Sequence, residues 1–166
     1  QQLRNDGQEV SPQPNFRPDP NEARLILERE VLKSRLQEPQ LFEDELWSSI
    51  ESGAFTHPAY SAMRSTIDSV EKLSPDAIAD ENLRALFTEL SVEPIRADGK
   101  PTALYVASIV ARLREVAISR SIADLKSSLQ RLNPVENEIE YNAAFAQLVA
   151  LESARRSLHE LAVGSL

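Results

Sequence analysis

Residues 101–132, PTALYVASIVARLREVAISRSIADLKSSLQRL, and residues 135–164, VENEIEYNAAFAQLVALESARRSLHELAVG, decide the fold. The first stretch holds no Gly and only its leading Pro, which is what an uninterrupted helix requires. Asn133-Pro134 breaks the pattern, and the second stretch resumes it, free of Gly and Pro until Gly164. Two long helices joined by so short a break fold back antiparallel.

The first of these helices changes face along its length. Val106, Val110, Leu113 and Ala117 form one apolar stripe, and Ile118, Ile122, Leu125, Leu129 and Leu132 form another, displaced by one residue. One residue of slip turns the stripe by about 100°. The spacing therefore predicts a helix whose first half serves a bundle and whose second half serves the returning helix. Tyr141, Phe145, Leu148, Leu151, Ala154, Leu158 and Leu161 are the expected seam of that return helix.

Working outward, residues 1–20 carry four prolines and no periodicity and read as a linker. Residues 21–117 form the expected bundle, with helices over Ala23–Gln37, Pro39–Ile50, from Pro58, and from Pro75, followed by a loop from Val92 to Lys100. Residues 118–166 form the hairpin. No stretch alternates as a strand does, so the class is all-α: a helical bundle followed by a C-terminal helical hairpin, bridged by one long helix.

The 166 residues carry a net charge of −8, and the imbalance is local: residues 1–100 hold 19 acidic and 11 basic side chains, residues 101–166 seven of each. That balance argues against strong direct nucleic-acid binding, although a local basic patch is compatible with it. There is no cysteine, and the two histidines, His57 and His159, lie far apart, so neither structural zinc nor thiol chemistry is expected. His57 is placed to cap the helix opening at Pro58. The acidic run Glu43-Asp44-Glu45 reads as a solvated helix face, and Glu136, Glu138 and Glu140 complement a helix dipole. Phosphate loops and nucleophile elbows are missing, so no catalytic residue, metal or cofactor is expected. No apolar stretch is long enough to span a membrane. A chain that opens with Gln reads as a piece of a longer protein.

Three segments carry a resemblance: EREVLKSRLQEPQLFED (28–44); Trp47 followed by IESGAFTHPAYSAMRSTID (50–68); and RLNPVENEIEYNAAFAQLVALESARRSLHELAVG (131–164). In order and spacing they resemble the C-terminal domain of bacterial DNA primases, in its mycobacteria-like form. The resemblance implies a bundle and hairpin that follow zinc-binding and RNA-polymerase domains. It also implies docking on the N-terminal domain of the replicative helicase at the fork, in the cytoplasm and on the nucleoid. The family's catalytic acids and zinc ligands lie in segments that this sequence does not contain, so the chain is expected to make no RNA by itself.

A pocket for the acidic, Phe-ended tail of single-stranded DNA-binding protein is implied on the first and a later bundle helix, which here points to Arg29, Lys33 and Arg84. Geometry alone suggests Arg131, Asn133, Glu136, Arg155 and Arg156 of the hairpin as helicase contacts. The competing reading is a small helical enzyme or cofactor-binding bundle. It finds no polar cluster recurring on the inward helix faces.

Overall fold

Six α-helices order the described residues: α1 (Ile26–Gln37), α2 (Asp44–Ser48), α3 (Pro58–Ser69), α4 (Glu81–Val92), α5 (Ala103–Arg131) and α6 (Glu138–Val163). The computed structural model describes residues 17–164, and among these there is no strand. The expected linker lies outside the described residues, apart from its last four. Short 3-10 turns at Ala23–Leu25, Pro39–Leu41, Ser52–Ala54 and Pro75–Ala77 shorten the helices expected from sequence.

Local chemistry explains most of the boundaries. His57 caps α3 as expected, its Nδ1 accepting from the Ala59 N–H at 3.1 Å, with Pro58 in the first turn. α4 begins six residues later than Pro75 suggests. Ile78 is extended and buried in the core, which pulls the chain away from helix, and Asp80 then caps α4 by accepting from Leu83 N at 2.8 Å. Thr102 caps α5 by accepting from Tyr105 N. Before it, Gly99 turns the chain at φ +84°, where a Cβ would be strained.

α1 is the central helix of the bundle, with α3, α4 and the first half of α5 packed against it, and Val31, Leu32, Tyr60, Met63, Leu86, Leu90, Val106 and Val110 fill the centre. Trp47 closes one side: its Nε1 donates to Asp68 at 2.7 Å, and the Arg64 guanidinium lies 4.1 Å from the indole.

α6 returns along α5. Here the division of α5 into successive halves is corrected. Ala111, Ile118 and Ile122 pack on Leu158 and Ala162, while Val106, Ile109, Val110, Leu113 and Ala117 face the bundle. Ser108 Oγ even donates to the Ala162 carbonyl at 3.2 Å. From Ser108 to Ala117, α5 thus serves both partners at once, on two faces. A contact from side chain to helix backbone needs close approach, which the small residues Ala111 and Ala162 permit. The seam of α6 is accordingly Tyr141, Ala144, Leu148, Leu151, Leu158 and Ala162. Phe145, Ala154 and Leu161, expected on it, are exposed.

Candidate functional site

The seam leaves the opposite side of α6 uncovered. Eleven consecutive residues, Tyr141 to Leu151, carry no charge in a chain that is 27% charged. Four of the large apolar side chains near them are open to solvent: Val135 at 87%, Ile139 at 86%, Val149 at 55% and Phe145 at 52%. Ile139, Ala143, Ala146 and Ala150 recur at helical spacing down the outer face, with Val149 and Phe145 along one flank. An exposed apolar stretch of this kind, with charge only at its ends, has the composition of a protein-docking face. Glu136, Glu138 and Glu140 bound it at the hairpin tip, and Arg155 and Arg156 at the other end.

Comparison with known proteins agrees with a docking domain. The profile of the family described as DNA primase DnaG DnaB-binding matches residues 28–144. The chain belongs to this family. DNA primase of Mycobacterium tuberculosis is 41% identical over 160 residues, covering 89% of this chain and 25% of the relative. That of Mycolicibacterium smegmatis is 39% identical over 175 residues, covering 95% and 27%. The chain therefore spans about a quarter of the length of the curated relatives it matches. Among solved structures, the helicase binding domain of primase from Mycobacterium tuberculosis superposes with a TM-score of 0.65 at 40% identity, over 85% of this chain and 94% of that one.

Within this primase domain, the residues expected to contact a helicase fall into two groups. Arg131 ends α5, its Nε donating to the Ser127 carbonyl at 3.2 Å. Asn133 holds the hairpin turn, its Oδ1 accepting from Val135 N at 2.9 Å, and Glu136 stands exposed in the same turn. Arg155 and Arg156 sit about 25 Å further down α6, at 1.5 Å per residue. There Arg155 pairs with Glu152 at 2.9 Å, Lys126 reaches Glu152 at 3.3 Å, and His159 meets Glu115 at 3.0 Å. The second group is thus a set of charges across the α5–α6 interface, with Arg156 lining the same hollow.

The expected acidic-tail pocket needs a correction. Arg29 and Lys33 are 2% and 1% exposed. Arg29 donates to Glu93 Oε2 at 2.9 Å through Nε, to Glu89 at 2.9 Å and to Tyr60 OH at 3.1 Å. Lys33 meets Glu30 at 2.7 Å, Glu93 at 3.2 Å and the Pro94 carbonyl at 2.8 Å. Their charges are matched inside the bundle and offer nothing to a carboxylate from outside. Arg84 is exposed, but its Nε and Nη2 donate to the Ile78 carbonyl at 3.0 and 2.8 Å, fixing the bend before α4. The three cations form no common surface.

Sequence reasoning placed the hairpin contacts by geometry alone and missed the uncharged face; the absence of Asp, Glu, Lys and Arg from 141 to 151 was the available signal. Among the described residues, no group of three metal-ligating side chains converges, and no helix is long and apolar enough to cross a membrane.

Proposed function

We propose that this domain holds primase on the replicative helicase, and that the helicase N-terminal domain docks on the outer face of α6. The observation that carries the reading is the uncharged run from Tyr141 to Leu151, with Ile139, Phe145 and Val149 open to solvent. Apolar side chains at the centre of such a face supply the binding energy, while charges at its rim set orientation and rate. Glu136, Glu138 and Glu140 at the tip favour a basic partner surface, and Arg155 and Arg156 an acidic one. RNA synthesis would then belong to the other three quarters of the relatives' length, and this domain would place that activity at the fork. Backbone amide shifts on titration with the helicase N-terminal domain test this. They are expected over 134–150; shifts confined to the bundle would refute it.

For the acidic tail of single-stranded DNA-binding protein we propose a different place from the one expected. A groove of about 450 Å³ between α1 and α5 is lined by Leu27, Leu113 and Val116 and by Arg24 and Arg120, with Arg24 also paired to Glu22, Arg120 also donating to the Gly53 carbonyl, and Glu28 in the same lining. It combines the apolar notch and the cations that such a tail requires. Reversing both charges, Arg24→Glu with Arg120→Glu, is expected to abolish binding of a tail peptide, measured by fluorescence anisotropy.

A further inference from the structure

We infer a second, phosphate-binding surface at the start of α5, fitted to the backbone of a single nucleic-acid strand. Lys100 and Arg112 line a hollow of about 330 Å³ together with Thr102, Tyr105 and Ser108. Arg96 approaches from the preceding loop, where its backbone N–H and the Tyr105 hydroxyl both donate to Glu30 Oε1, at 2.6 and 2.8 Å. All three cations are exposed, and none has a carboxylate within ion-pair distance among the described residues. Elsewhere in this acidic domain Arg24, Arg29, Lys33, Arg64, Lys126 and Arg155 are all paired. Three convergent cations left unneutralised in a chain of net charge −8 make a local positive field that the overall balance conceals.

The geometry points to a phosphodiester chain rather than an acidic peptide. Beside the apolar Ala97, Leu104 and Ile109, six of the nine residues that line the hollow are polar, Asp98, Lys100, Thr102, Tyr105, Ser108 and Arg112, a wall suited to an anion held by charges and hydroxyls. The hydroxyl of Thr102 accepts from Tyr105 N and keeps its own proton for a phosphate oxygen. From Arg112 the open side of α5 runs past Val116 and Ser119 to Arg120, about 12 Å on. Glu115, at its edge, is engaged by His159. No exposed aromatic side chain lies on this strip, and the Tyr105 hydroxyl is committed to Glu30 at 2.8 Å. Base stacking is therefore excluded, and the contact is to phosphates alone, without sequence preference.

The test is anisotropy of a fluorescein-labelled oligothymidylate titrated with the intact chain. Three phosphate contacts to a single strand give a log–log salt slope of about −2, so affinity falls about twentyfold between about 50 and about 200 mM salt. Replacing the three cations together (Arg96→Gln, Lys100→Gln, Arg112→Gln) should abolish the binding and its salt slope, while Lys72→Gln leaves both in place. Asp98→Asn removes the carboxylate that lines the hollow and should tighten binding about two- to fivefold. Binding that survives the triple replacement, or that Asp98→Asn leaves unchanged, overturns the proposal. So does an oligoglutamate peptide that occupies the hollow more tightly than the oligonucleotide.

Discussion

Arg29 shows how a single residue can be misplaced by sequence and explained by structure. Its neighbours on α1, Glu28, Glu30 and Lys33, look like a solvated charged face, yet all four are less than 5% exposed. Their partners are distant in the chain: Glu28 accepts from Thr56 N at 2.9 Å, Glu30 from Arg96 N at 2.6 Å, and Arg29 meets Glu93, 64 residues away. Pairing over that separation leaves no local trace, so periodicity reads these positions as outward-facing. Breaking such a pair is costly because the remaining charge is stranded. Arg29→Met should destabilise the bundle by about 3 kcal/mol, the low end for a buried pair, since Glu93 retains some access to water. Denaturant titration followed by Trp47 fluorescence measures it. The Arg29 hydrogen bond, against the cost of burial, holds the Glu93 carboxyl below the usual carboxylate range. Its stabilising contribution is therefore complete above that range and is lost as pH falls through it, and Glu93→Gln should remove this part of the acid dependence. At the other end, burial raises the Tyr60 and Tyr105 hydroxyls, Tyr105 also through Glu30. Their contribution is complete below the ordinary phenol value of about 10 and declines as pH rises beyond it.

At the scale of the element, the α5–α6 pair was legible as a hairpin but not in its register. The two stripes of α5 are real, since Val106, Val110, Leu113 and Ala117 face the bundle and Ile118 and Ile122 face α6. What hydrophobic periodicity could not weigh was the value of smallness. Ala162 occupies a seam position where its larger neighbour Leu161 was expected, because the backbones approach closely at Ser108, and towards the other end of α6 Ala144 stands where Phe145 was expected. Leu158, 5% exposed, and Phe145, 52% exposed, therefore make a direct comparison. Leu158→Ala should cost about 2–3 kcal/mol, and Phe145→Ala less than about 0.5 kcal/mol. Thermal melting of the two variants by circular dichroism distinguishes this register from one centred on Phe145, which would reverse the order.

For the whole molecule, the proposed function makes the bundle a support and the hairpin the part that reaches out. The all-α class, the bridging helix and the place of the break at Asn133-Pro134 could be read from the sequence, because each rests on local chemistry. The proposed docking face could not, since it is defined by what α6 leaves uncovered once its seam is known. The central claim is that this uncovered face, not the charges around it, holds the helicase. Calorimetric titration of the helicase N-terminal domain with the Ile139→Glu, Val149→Glu double variant tests it most directly, with Arg155→Ala beside it as a rim charge. Burying two carboxylates in an apolar contact should weaken binding about a hundredfold, or ~2.7 kcal/mol, with the melting temperature unchanged. Wild-type affinity in the double variant, with the loss appearing instead in Arg155→Ala, would contradict the account.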